Sequence, residues 1–144
     1  MQILIIGSGS IGKRHAKNLI SLGIPKGDIF AIDTRDDRRT EIESVGVSKC
    51  YSSLEEALQK DNFDAAIMCS PTSLHISQGI TLAKKGIHIL MEKPLAHNLE
   101  GIDEFIKVVE ENKVVILMAY IFRFSPLTQK VKELLDSNAI GKVL

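Results

Sequence analysis

Met1-Gln2-Ile3-Leu4-Ile5-Ile6-Gly7-Ser8-Gly9-Ser10-Ile11-Gly12 is the stretch whose reading decides the fold. Ile3 to Ile6 is a short apolar run, read as a strand buried on both faces. Gly7, Gly9 and Gly12 then make G-x-G-x-x-G, and helix-period sequence follows to about Leu22. Each glycine has a separate job in a dinucleotide site. Gly7 permits the tight turn out of the strand, Gly9 lets the backbone approach a pyrophosphate, and Gly12 lets the helix pack close to the strand. The helix start at Ser10, Ile11 and Gly12 offers free N–H groups and a positive dipole end to phosphate oxygens. Asp33, 21 positions after Gly12, ends a second apolar run, Ile29-Phe30-Ala31-Ile32. A carboxylate there accepts the adenosine ribose hydroxyls and repels a 2′-phosphate, which favours NAD. Arg35, just past that strand, can hold a 2′-phosphate, so NADP stays open as the second choice.

Outward from this opening, short apolar runs alternate with helical segments. Gly23, Pro25 and Gly27 mark the loop after the first helix. A charged helix from about Arg35 to Ser44 ends at Gly46, and Val47 to Tyr51 is a weak third strand. Ser53 and Glu56 have the spacing of a capping box for a short helix. Ala65 to Cys69 is apolar at every position, as a covered parallel strand should be. Pro71 breaks it, and a helix from about Ser73 to Lys85 closes at Gly86. Ile87 to Met91 is the fifth strand. The next helix takes Asn98 as N-cap, with Leu99, Ile102, Phe105, Ile106 and Val109 on one face. Val114 to Met118 is the sixth strand. Ser125-Pro126 reads as an N-cap with proline at the first helical position, ahead of a stripe of Leu127, Val131, Leu134 and Leu135. The fold class is therefore α/β, a doubly wound parallel sheet of about six strands (a Rossmann fold) with helices on both faces. The expected strand order is 3-2-1-4-5-6, with the ligand crevice at the switch between strands 1 and 4. Residues 1–137 form this domain.

Bulk properties exclude several classes. A chain of 144 residues fits one domain with an adequate core. Lysine plus arginine equals aspartate plus glutamate at 18 each, which gives no electrostatic reason to expect nucleic acid or a membrane as partner. The Arg35, Arg38 and Arg39 cluster is diluted by acidic neighbours and reads as a solvated face. Cys50 and Cys69 match no zinc spacing, so no metal site is expected, and both read as reduced thiols of a cytoplasmic protein. No run approaches a transmembrane span, and the first residues lack a basic signal-peptide region.

Glycines and an acid after strand two also suit the adenosyl cofactor of a methyltransferase, so the later loops must discriminate. After the fourth strand comes Ser70-Pro71-Thr72-Ser73-Leu74-His75, after the fifth Glu92-Lys93-Pro94, and after the sixth Tyr120-Ile121-Phe122-Arg123-Phe124-Ser125-Pro126. This ordered set resembles the N-terminal domain of the glucose–fructose oxidoreductase / inositol dehydrogenase (Gfo/Idh/MocA) family. That pattern has the glycine opening, the acid, a small-Pro-x-x-x-His stretch, a Glu-Lys-Pro block and an aromatic–Arg–Phe–x–Pro segment. Glu92-Lys93-Pro94 is its most specific part and argues against a methyltransferase.

The resemblance implies an oxidoreductase that moves hydride between NAD(P) and a sugar- or cyclitol-like hydroxyl or ketone. It implies that Lys93 lies beside the nicotinamide and the reacting oxygen as the catalytic residue. Pro94 fixes that loop, often through a cis bond, and Glu92 either orients Lys93 or bridges loops. Ser70 and Pro71 are expected to line the cofactor's path from diphosphate to nicotinamide. His75 either contacts the cofactor rim or satisfies backbone groups. Arg123 reaches substrate or, as the favoured role, ties down the crossover to a second domain, and residues 138–144 read as the start of the passage into that domain. In the family that second domain binds substrate, supports homo-oligomers and carries a catalytic histidine in Asp-x-x-x-His, a stretch this sequence does not contain. A dinucleotide-binding sensor or scaffold without turnover is the alternative function.

Overall fold

The computed structural model describes residues 1–141, so the expectation for 142–144 lies outside the described residues. In chain order the elements are β1 (Ile3–Ile6), α1 (Ser10–Ser21), β2 (Ile29–Ile32), α2 (Asp36–Val45), β3 (Lys49–Tyr51), α3 (Leu54–Lys60), β4 (Ala65–Met68), α4 (His75–Lys84), β5 (His88–Met91), α5 (Ile102–Glu111), β6 (Ile116–Met118) and α6 (Pro126–Asp136). The strands form one parallel sheet in the order β3-β2-β1-β4-β5-β6, as expected. The order reverses between β1 and β4, whose chains pair in register from Ile3 opposite Ala65 to Ile6 opposite Met68.

The strands of the sheet centre are apolar throughout because both faces are covered. Alternation of side chains along a strand sends Leu4 and Ile6 to one face, where Leu54, Ala57, Leu82 and Phe105 from α3, α4 and α5 meet them. Ile3 and Ile5 point the other way, toward Ala16 of α1 and Ile42 of α2. Phe30 and Phe63 close the first cluster edge to face, with ring centroids 5.3 Å apart. At full burial each large apolar side chain contributes about 1.5–3 kcal/mol, so this double core outweighs the weak propensity of such short strands.

The structure corrects some boundaries. α5 begins at Ile102, not after Asn98. Asn98 instead accepts a 3.1 Å hydrogen bond from the Glu100 amide within a turn, and Gly101 stands at the cap with φ +75°. Leu99 is consequently outside the helix and 86% exposed, while Phe105 and Val108 supply the buried face. The Ser53 hydroxyl accepts from the Glu56 amide at 3.1 Å, but the Glu56 carboxylate reaches the Ser52 amide, so half of the capping box forms. Ser125 and Pro126 stand at the N-cap and first helical positions of α6, as read, although no side-chain cap bond forms. Coverage of both faces fails at the β6 edge: Val115 and Leu117 are exposed, and α6 buries no residue.

Candidate cofactor and active site

Backbone hydrogen bonds continue past the strand ends and carry four loops to one edge of the sheet. The Gly7 amide donates to Ile32 at 2.9 Å, Cys69 to Ile6 at 2.7 Å, Glu92 to Met68 at 3.0 Å and Ala119 to Met91 at 2.8 Å. The glycine loop, Ser70-Pro71, Glu92-Lys93-Pro94 and Tyr120 thus lie side by side at the carboxyl ends of the strands, where open α/β sheets bind ligands.

The three glycines do different work, and the geometry separates them. A Cβ on Gly12 would sit 1.9 Å from the Gly7 carbonyl oxygen, so the start of α1 can rest on the loop only without a side chain there. Gly7 has φ +96°, and its Cβ would meet the Cys69 carbonyl at 2.7 Å. A Cβ on Gly9 would find nothing nearer than an Arg38 guanidinium nitrogen at 3.9 Å. The core therefore requires Gly7 and Gly12 but leaves open space at Gly9. Gly9 is the N-cap of α1 with no side-chain cap, and the first turn holds no carboxylate. Ser10 and Ile11 are exposed at that turn. Unpaired amides facing open space fit the diphosphate of a dinucleotide.

Asp33 stands beside this loop, 7% exposed. One carboxylate oxygen accepts from the Ser8 amide at 2.8 Å and the other from the Arg35 amide at 3.0 Å. A carboxylate offers about four lone-pair sites, so each oxygen keeps capacity for a ribose hydroxyl. Ser8, fully buried, ties the two strands together through its hydroxyl on the Ile32 carbonyl. The Arg35 side chain turns away. Its guanidinium pairs with Asp37, which holds the guanidinium pKa above its ordinary value and the Asp37 carboxyl below its own. The arginine that faces the site is Arg38, with Nη1 3.8 Å from an Asp33 oxygen and close to Gly9. The sequence points to Arg35 and assigns Arg38 to a solvated face, which the contact with Asp33 corrects. A residue five past the acid falls in the first turn of α2, at the same edge of the sheet as the glycine loop.

At the other loops the structure chooses between readings. Ser70 donates its hydroxyl to Gln78 at 2.6 Å, and Pro71 caps a 3-10 turn over Thr72–Leu74. His75 is 1% exposed, with Nδ1 2.9 Å from the Pro94 carbonyl and Nε2 3.0 Å from the Ser70 carbonyl. Its ring is buried between these two backbone carbonyls. Glu92 reaches across to α1, where Oε1 lies 2.9 Å from His15 Nε2. This contact ties the loop after β5 to helix α1. Lys93 is exposed, and its peptide bond to Pro94 is cis.

Burial pushes the Cys50 thiol up to about 11, and burial with the nearby Glu92 carboxylate pushes Cys69 up to about 12. Among the described residues no three His, Cys, Asp or Glu side chains gather as metal ligands, and no helix is long and apolar enough to cross a membrane. Tyr120, Ile121, Phe122 and Phe124 are each more than half exposed beside Arg123. Arg123 itself stands in an exposed 3-10 turn over Ile121–Phe124.

Comparison with known proteins agrees with this geometry. Residues 1–120 match the family GFO_IDH_MocA, described as an oxidoreductase family with an NAD-binding Rossmann fold. Myo-inositol 2-dehydrogenase of Thermotoga maritima is 37% identical over 144 residues, 99% of this chain and 42% of that protein. The crystal structure of myo-inositol 2-dehydrogenase from Lactobacillus plantarum shares the fold, with TM-score 0.89 at 24% identity over 100% of this chain and 43% of that one. WlbA dehydrogenase from Bordetella pertussis, solved in complex with NADH and UDP-GlcNAcA, gives TM-score 0.84 at 26% identity over 95% of this chain and 42% of its own. The chain spans about two fifths of the length of the curated relatives it matches. Its fold, its glycine loop and the family match together make this chain a member of the Gfo/Idh/MocA family, carrying that family's NAD-binding Rossmann domain.

Proposed function

We propose that this chain is the cofactor-binding part of a longer oxidoreductase that interconverts a secondary alcohol and a ketone on a cyclitol- or sugar-like substrate. One juxtaposition carries the reading: an exposed lysine at the end of β5 shares a sheet edge with a glycine loop that leaves open space for a diphosphate. The first turn of α1 holds the diphosphate, Asp33 the adenosine ribose, and Ser70 and Pro71 border the path between diphosphate and nicotinamide. The bound nicotinamide supplies the carbon that accepts or returns hydride. Lys93 donates a hydrogen bond from its ammonium to the reacting oxygen. That bond strengthens as the oxygen gains alkoxide character, which lowers the barrier without tightening ground-state binding. NAD is the preferred cofactor, because the Asp33 carboxylate stands beside the glycine loop, where it would accept the ribose hydroxyls and repel a 2′-phosphate. A homo-oligomeric enzyme of the cytoplasm is the accompanying inference, and two free thiols support that compartment.

The test is stopped-flow hydride transfer on the longer polypeptide, paired with NADH fluorescence titration. Lys93→Met should slow the chemical step by roughly 10²-fold, the usual scale for a positioned proton donor or electrostatic group. NADH affinity should stay within about twofold, because diphosphate and ribose contacts lie elsewhere. An unchanged rate would make Lys93 a loop residue and overturn the assignment. The 144-residue chain should bind the cofactor yet neither reduce NAD with a polyol nor oxidise NADH with a ketone, a result that turnover by this chain alone would contradict.

A further inference from the structure

Lys93 is exposed between two neighbours that are not free. On one side, Glu92 spans from the end of β5 to His15 of α1, with both side chains largely withdrawn from water at 20% and 17% exposure. Its charge is also felt by the Cys69 thiol, which places the carboxylate near the end of β4. On the other side, the Pro94 carbonyl faces the buried ring of His75, whose second nitrogen faces the Ser70 carbonyl. The residues flanking Lys93 are therefore held from two different helices. One of those helices, α1, begins at the glycine loop itself, and His15 lies three residues past Gly12.

A lysine side chain is long and flexible, so its ammonium can be pre-placed only through the backbone that carries it. A shift of about 1 Å in a reacting group can cost roughly 10²-fold in rate, which gives a two-sided anchor something to accomplish. We propose that His15 and Glu92 form a positioning pair, with His75 as the opposite anchor, that fixes Lys93 relative to the helix end holding the diphosphate. Cofactor and lysine then share one rigid frame, because the same helix α1 carries both the phosphate-facing amides and the partner of Glu92. The inference rests on the proposed role of Lys93 beside the reacting oxygen.

Two sets of measurements test it. In the longer polypeptide, His15→Ala should slow hydride transfer by about tenfold while NADH affinity stays within about twofold. His15→Gln, whose amide can still donate to Glu92, should recover most of the rate. Glu92→Ala should match His15→Ala, and the double variant should be no slower than either alone. In a Lys93→Met background, His15→Ala should cost nothing further, since a group that acts through Lys93 is silent without it. In the 144-residue chain without cofactor, the Lys93 amide should show millisecond exchange in NMR relaxation dispersion for His15→Ala but not for wild type or His15→Gln. A His15→Ala penalty that adds fully to that of Lys93→Met would overturn the proposal. So would a loss of NADH affinity equal to the loss of rate, or a quiet Lys93 amide in His15→Ala. If His15→Ala does not fold, Glu92→Ala carries the same comparisons. Should Lys93→Met leave the rate unchanged, the functional reading fails, and the amide exchange still decides whether the clamp exists.

Discussion

The Gly7–Gly12 loop and the Glu92–Pro94 loop end strands of one sheet, yet they are fixed by opposite means. The first is shaped by what it lacks. Carbonyl and helix approach each other at Gly7 and Gly12 because no Cβ intervenes, and Gly9 leaves its space open. The second is shaped by side chains sent from elsewhere, His15 from α1 and His75 from α4. A loop of the first kind is written into a few adjacent residues. A loop of the second kind depends on partners 77 and 19 positions away in the chain.

The largest expected effect breaks the first loop against itself. Gly12→Ala places a Cβ 1.9 Å from the Gly7 carbonyl, so α1 must move off β1. Overpacking against backbone should cost roughly 3 kcal/mol or more and lower Tm by about 10 °C in thermal unfolding. Gly9→Val should leave Tm nearly unchanged yet abolish NADH binding in calorimetry, because its side chain enters space the core does not use. Equal Tm losses for the two variants would erase the distinction between structural and ligand-facing glycines.

A middle effect concerns the arginine next to that open space. Asp33→Ala should weaken NAD binding about tenfold and narrow the gap to NADP, since a ribose partner and a repelling charge leave together. In that background Arg38→Ala should remove most of any NADP gained, whereas Arg35→Ala should change little, because Arg38 faces Asp33 and Arg35 is engaged by Asp37. The reverse outcome in isothermal titration would return the role to Arg35.

The smallest effect of a substitution is expected between the loops, at Cys69. Its carbonyl limits Gly7, and its thiol is pushed up to about 12 by burial and then by Glu92. Alkylation at pH 7.5 should be at least about 100-fold slower in the folded chain than in urea, because only the thiolate reacts. Glu92→Gln removes a like charge, so the thiol value should fall and labelling should quicken by a few fold. The raised value also has a sign for stability. A thiol that ionises near 9 when unfolded and about 12 when folded leaves stability intact below pH 9 and erodes it as pH rises toward 12. Fast labelling of the native chain at neutral pH would show that Cys69 is not sheltered between the two loops.

Much of the molecule was legible in the sequence because its determinants are local or periodic. Apolar runs at β1, β2 and β4 announce strands covered on both faces, and alternation with helices leaves the parallel order β3-β2-β1-β4-β5-β6. Gly7, Gly9, Gly12 and Asp33 announce the dinucleotide site, since the lack of a Cβ and a charge at a strand end need no distant partner to be read. The start of α5 lies a few residues beyond the sequence expectation because Asn98 can bond its own backbone in a turn as readily as it can cap a helix. The tertiary structure alone decided which arginine faces Asp33, that His75 is buried between the carbonyls of Ser70 and Pro94, and that Glu92 reaches His15. Side-chain direction at a helix start and pairing between distant residues follow from how α1, α2 and α4 dock on the sheet. Docking is set by the summed burial of the whole core, which no single stretch of sequence contains.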